Sequence, residues 1–119
     1  MKKYFVYGTL RKQGGATAAL LMPGTYKFLG KYVLHGYKLM LSYGYATIVP
    51  DENSSVVGEL IEIEDQCENR LDIYEGYPTF YDKRESTVVN GDKSIVANVY
   101  FQRELSPDAS EVTGGDFYN

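Results

Sequence analysis

A short aromatic strand that halts at a glycine is the strongest constraint on this chain. Tyr4-Phe5-Val6-Tyr7 follows the charges of Lys2 and Lys3. Aromatic and β-branched residues in such a run suit a packed, pleated surface. The run stops at Gly8, and Thr9-Leu10-Arg11 follow. A buried first strand ending in a glycine-bearing loop brings backbone N–H groups to the sheet edge with no side chain in the way. Such a place can hold a carboxylate or an oxyanion. Read alone, Gly8 does no more than turn the chain. The rest of the sequence has to choose between the two.

At 119 residues the chain is expected to be one domain with a real core. No apolar run approaches membrane-spanning length. Lys2-Lys3 before Tyr4–Leu10 looks like the start of a signal peptide, but glycine interrupts the apolar part and no small-residue cleavage site follows. A cytoplasmic, membrane-free protein is therefore expected. One cysteine excludes an internal disulfide, and one cysteine with one histidine excludes the usual zinc sites. A formal charge of −4 with no basic stripe argues against nucleic acid. Twelve tyrosines against no tryptophan supply rings with polar tips, which suit pocket walls and ordinary strands alike.

Along the chain, Arg11–Gly15 reads as a loop and Ala16–Met22 as one or two helical turns stopped by Pro23-Gly24. Tyr26–Leu29 and Lys31–Leu41 read as strands, Ser42–Tyr45 as a turn, and Ala46–Val49 as a strand ended by Pro50. Asp51–Ser55 is a run of turn residues. Val56–Ile63 alternates like a half-buried strand. The clearest helix follows, with Asp65 and Glu68 in a capping-box arrangement and Cys67, Leu71 and Tyr74 as its apolar stripe. Gly76 and Pro78 end it, which puts Glu75 at its last turn. Arg84–Val89 and Ser94–Phe101 form a hairpin through Asn90-Gly91-Asp92. Ser106-Pro107 predicts a short helix to about Val112, and Thr113–Asn119 is a glycine-rich aromatic tail. Many short strands and few helices define an α+β fold around a curled or closed mixed sheet.

Glu75 is the main candidate for chemistry. A carboxylate at a helix C-terminus faces the negative end of the dipole. Asp72 stands three residues back, and Tyr74, Tyr77, Phe80 and Tyr81 are close enough in sequence to desolvate it. All three effects raise its pKa toward the range of a general base and acid. The bland alternative is a solvated glutamate at a frayed helix end. Cys67 on the apolar stripe reads as a buried structural thiol, and His35 as a packed or exposed strand residue. Glu59, Glu62, Glu64 and Asp65 read as a wet face, not a metal site. No phosphate loop, nucleophile elbow or dinucleotide fingerprint is present.

Two separated stretches together resemble one family. Val6-Tyr7-Gly8-Thr9-Leu10-Arg11 is similar to the signature loop of the γ-glutamylcyclotransferase-like proteins, which include AIG2-like, BtrG-like and γ-glutamylamine cyclotransferases. Leu71-Asp72-Ile73-Tyr74-Glu75-Gly76-Tyr77-Pro78, with Tyr81 and Arg84, is similar to the second motif. Phe28-Leu29-Gly30, Gly36–Leu39, Gly58–Ile63, Val99-Tyr100 and Gly114–Phe117 fit the order between and after. The likeness spans essentially the whole chain.

That resemblance implies a small mixed β-barrel with a few short helices and a pocket at one mouth. It implies Glu75 as the catalytic acid–base, with Tyr7, Gly8, Thr9, Leu10 and Tyr81 binding substrate. The implied reaction closes a γ-glutamyl amide on its own α-amine, giving 5-oxoproline and a free amine, with no cofactor and no metal. Thr9-Leu10, where other members carry Ser-Asn, points to the γ-glutamylamine type. Tyr45-Ala46 replaces a frequent Tyr-Pro pair, Phe117 a frequent Trp, and an asparagine common after Arg11 is absent; these departures bear on substrate choice. A non-catalytic binding module and a small-amide hydrolase are the rival readings, and oligomeric state stays open.

Overall fold

The structure is a computed structural model that describes residues 1–22 and 24–118. Pro23, expected to stop the first helix, and Asn119, at the end of the tail, lie outside the described residues. The strands are β1 (Lys2–Val6), β2 (Tyr26–Ser42), β3 (Tyr45–Ile63), β4 (Tyr81–Asn90), β5 (Lys93–Gln102) and β6 (Ser110–Glu111). The helices are α1 (Ala16–Leu21) and α2 (Asp65–Glu75), with one 3₁₀ turn at Lys12–Gly14.

Five strands follow the order β3-β1-β5-β4-β2, and β2 pairs again with β3, which closes the sheet into a barrel. The β1–β5 pair is parallel and the other pairs antiparallel, so the barrel is mixed. Closure leaves no long free edge to template aggregation. The expected α+β barrel is therefore the observed one.

β1 shows why its sequence turns apolar and aromatic after Lys2 and Lys3. Side chains alternate across a strand. Phe5 and Tyr7 join a core to which all five barrel strands contribute, including Leu34, Leu60, Val88 and Val99. Tyr4 and Val6 join a second core that holds Leu21 of α1 and Cys67 and Leu71 of α2. From Tyr4 onward both faces of β1 are buried, so neither needs polar residues there.

The two long strands depart from their expected pieces. Tyr26–Leu29 and Lys31–Leu41 are one strand that continues through Gly30, whose φ of 122° only glycine adopts easily. Asp51–Ser55 does not leave the sheet. Pairing passes from Tyr37↔Pro50 to His35↔Ser55, so the extra residues form a wide bulge opposite Gly36. The Asp51 carboxylate holds it by accepting from the Asn53 N–H and the Ser54 hydroxyl, both at 3.0 Å.

The helix expected after Ser106-Pro107 is not formed. A single turn closes from the Ala109 N–H to the Ser106 carbonyl at 3.1 Å, and Ser110-Glu111 then pairs with Leu41 and Met40 of β2. A helix this short carries its full nucleation cost. The unpaired edge of β2 offers ready partners instead. The capping box at Asp65 is also unrealised. Asp65 lies inside α2, and Glu64 stands at the cap, its carboxylate accepting from the Gln66 side chain at 2.8 Å and not from a backbone N–H of the first turn. That carboxylate also accepts the Thr25 N–H, and Glu68 is engaged with Tyr4 and Lys83.

Candidate active site

α2 ends where the sequence says it should. Gly76 takes a left-handed φ of 68°, and the Tyr77 N–H returns to the Asp72 carbonyl at 2.8 Å. The rotation of the helix is less obvious. At about 100° per residue, Glu68, Leu71, Asp72 and Glu75 share one face. That mixed face is the one turned to the barrel. Lys83 of β4 donates to Asp72 at 2.9 Å and to Glu68 at 3.3 Å. The Tyr4 hydroxyl donates to Glu68 and the Tyr100 hydroxyl to Asp72. Glu75, one turn beyond Asp72, is thereby aimed into the barrel mouth. Tyr74, expected in the core, rotates outward and is 47 % exposed.

Glu75 lines a cavity of about 390 Å³. Tyr7, Gly8, Thr9, Leu10 and Tyr81 line the same cavity, so all six residues singled out from sequence meet in one place. The loop after β1 is a turn closed by the Arg11 N–H on the Gly8 carbonyl at 3.0 Å. Among the described residues, the N–H groups of Gly8, Thr9 and Leu10 donate to no protein acceptor. A Cβ at Gly8 would sit 3.1 Å from the Ala46 methyl, so a side chain there would crowd the far wall. The Thr9 and Tyr74 hydroxyls are 3.1 Å apart and tie the loop to α2 across the mouth.

Two of the phenols are committed to the wall. Tyr7 donates to the Tyr100 carbonyl at 2.6 Å. Tyr81 donates to the Ala46 carbonyl at 2.6 Å and accepts from the Gln102 amide at 3.2 Å. Burial raises the pKa of both, and the nearby Glu75 charge raises them further. They offer ring surface and stay protonated.

Burial also pushes Glu75 up from its ordinary 4.5 to about 7. Of the effects expected from sequence, desolvation is the one that acts. The Asp72 carboxylate is held by Lys83 and Tyr100 on the barrel wall. Glu75 is the only Asp, Glu, Lys or Arg among the cavity-lining residues. A carboxyl group poised near neutrality, beside unpaired N–H donors and aromatic walls, can take up and return a proton.

Further walls of the cavity include Tyr74 and Phe80, expected from sequence to desolvate Glu75, and Tyr45-Ala46 and Phe117, where the chain departs from the family pattern. Ile73 and Tyr100 also line it and had no site role in the sequence reading. Phe117 comes from the tail. Arg11 draws the tail in through a 2.7 Å ion pair with Asp116. Cys67 is buried in the second core and His35 stands exposed on β2, as structural residues do. The acidic run Glu59–Asp65 forms no metal-holding group among the described residues. No helix among them is long and apolar enough to cross a membrane.

Fold and site together define a closed mixed barrel with one carboxylic acid in a pocket at its mouth. The chain belongs to the gamma-glutamyl cyclotransferase, AIG2-like family, whose model matches residues 4–119. A protein of Methanocaldococcus jannaschii, provisionally named a gamma-glutamylcyclotransferase, is 32% identical over 110 residues, 87% of this chain and 87% of its own. A Drosophila melanogaster protein named in the same provisional way is 30% identical over 97 residues, covering 73% of this chain and 60% of its own. The crystal structure of an AIG2-like protein from Mus musculus aligns with a TM-score of 0.79 at 24% identity, over 90% of this chain and 80% of that one. That likeness speaks for the fold.

Proposed function

We propose that this protein is a γ-glutamylcyclotransferase of the γ-glutamylamine type, with Glu75 as its catalytic residue. The observation that carries the reading is the pairing of a near-neutral Glu75 with the unpaired N–H groups of Gly8–Leu10 around one cavity. The family and the names of its relatives support the same reaction class. Thr9-Leu10 after Tyr7-Gly8 supports the amine subtype by resemblance.

The substrate carries its own nucleophile. Its α-amine lies within reach of the γ-carbonyl, and holding the two together replaces an encounter with an internal reaction. Glu75 removes a proton from the ammonium. The amine nitrogen bonds to the γ-carbon, and the carbonyl becomes an oxyanion. The bond from that carbon to the leaving nitrogen then breaks as Glu75 gives that nitrogen its proton. The positively charged ring nitrogen releases its second proton to solvent, and the freed amine takes one up from solvent as an ammonium. The products are 5-oxoproline and a free amine, with no net proton change at Glu75. The N–H groups of Gly8, Thr9 and Leu10 receive negative charge of the substrate at fixed positions, without reorganising. The rings of Tyr7 and Tyr81 keep water from the reacting atoms.

The test is 5-oxoproline release, followed by mass spectrometry, from a panel of γ-glutamyl amides. Glu75→Gln keeps the shape and removes the proton carrier, so its rate falls about 10²–10⁴-fold. Equal product from the variant refutes the role of Glu75. Free glutamate in place of 5-oxoproline indicates a hydrolase. A thermal shift with 5-oxoproline and no turnover indicates a binding module.

A further inference from the structure

The cavity mouth carries more exposed apolar surface than the reacting atoms need. Ile73 is 71 % exposed, Tyr45 60 % and Phe80 36 %, and Tyr74 stands beside them. A soluble protein rarely groups large apolar side chains in water without a use for them. Phe80 is held in place from three directions. Its ring centroid lies 5.1 Å from that of Tyr81, 5.8 Å from Tyr43 and 6.4 Å from Tyr45, each pair edge to face.

Tyr43 supplies an independent sign that this rim is built. It occupies the first position of the two-residue turn between β2 and β3, at a φ of 55°. Bulky residues seldom adopt that conformation, whereas asparagine or glycine enters it freely. Here the position is a tyrosine, and its ring backs Phe80.

The charges around the mouth narrow the ligand. Among the described residues the cavity lining contains no Lys or Arg, and its one carboxylic acid is Glu75. The nearby Arg11 is turned away and paired with Asp116. A leaving group with its own carboxylate would meet no cation and would lie near a like charge. Rings and an isoleucine instead offer surface to an uncharged apolar body.

We infer that Tyr45, Phe80, Tyr74 and Ile73 form the leaving-group subsite, and that the amine released is an arylalkylamine without a carboxylate. This rests on the cyclotransferase reading. The bond broken joins the γ-carbon to the arylalkylamine nitrogen, and that nitrogen departs with the proton carried by Glu75.

The experiment compares three substrates on the full chain. They are γ-glutamyl-2-phenylethylamide, γ-glutamylmethylamide, and γ-glutamylphenylalanine, which has the same ring plus a carboxylate. The phenylethylamide is expected to exceed each of the others in kcat/KM by about tenfold or more. Phe80→Ala and Tyr45→Ala are expected to bring the ratio of phenylethylamide to methylamide towards one. Equal or faster release from γ-glutamylphenylalanine, or a ratio the variants leave unchanged, overturns the subsite while cyclotransfer stands. No 5-oxoproline from any of the three overturns the cyclotransferase reading and this inference with it. The comparison on the unaltered protein is decisive even where a variant fails to fold.

Discussion

Replacing Glu75 with glutamine is expected to make the protein more stable above neutrality and to change little in acid. Burial raises the Glu75 pKa from 4.5 to about 7. Between these values the folded protein binds a proton that the unfolded chain has released. The stability held in that proton is fully present below pH 4.5 and is lost as pH rises through about 7. From 4.5 to about 7 the loss amounts to about 3 kcal/mol. Glutamine never ionises, so the variant escapes the loss. Urea unfolding of parent and variant at pH 4.5, 6 and 8 reads the difference directly, and subtracting the two curves cancels every other titrating group. The variant should gain on the parent by about 3 kcal/mol between the ends of the series. A difference that stays constant from pH 4.5 to 8 refutes the claim that Glu75 is destabilised by burial. The acid–base role proposed for it would then lose its physical basis.

Two further changes test the scaffold. Lys83→Met leaves the Glu68 and Asp72 carboxylates without their shared ammonium and should cost about 3 kcal/mol in urea unfolding at pH 7; a loss below about 1 kcal/mol would mark the cluster as no more than a surface ion pair. Tyr43→Asn relieves the left-handed strain at the β2–β3 turn, about 1–3 kcal/mol. It also forfeits the edge contact with Phe80, worth about 0.5–1.5 kcal/mol. The urea midpoint should therefore rise by about 1 kcal/mol equivalent, and a fall would show that the ring outweighs the strain.

The parts of this protein legible in sequence are those with local causes. Gly8 closes the first strand, and Gly76 ends α2 directly after Glu75, so both halves of the site are marked by their neighbours in the chain. The capping box was misread because Glu68 has a stronger call on it than the helix end, from Tyr4 and Lys83. Tyr74 was misplaced for a related reason. The helix face that packs is chosen by Lys83 and Tyr100 on the barrel wall, not by the apolar stripe alone. β6 is not legible in sequence because its partner edge, Met40-Leu41 of β2, lies far back in the chain. Each of these depends on residues far away in the chain, where periodicity carries no information.

Residues 5–10 and Phe117 line the cavity together, while α2 and two hairpins supply the remaining walls. The pocket is thus a junction of distant segments, and no single fragment contains it. Junctions between segments this far apart carry a loop-closure cost that only the assembled fold repays. A small molecule that enters must therefore recognise the finished molecule. Its binding energy clamps the first strand, the helix and the tail together, and it protects the entire fold against opening. Occupancy of the site then doubles as a measure of structural completeness, and a chain clipped near Gly114 would be expected to lose its ligand before losing its barrel.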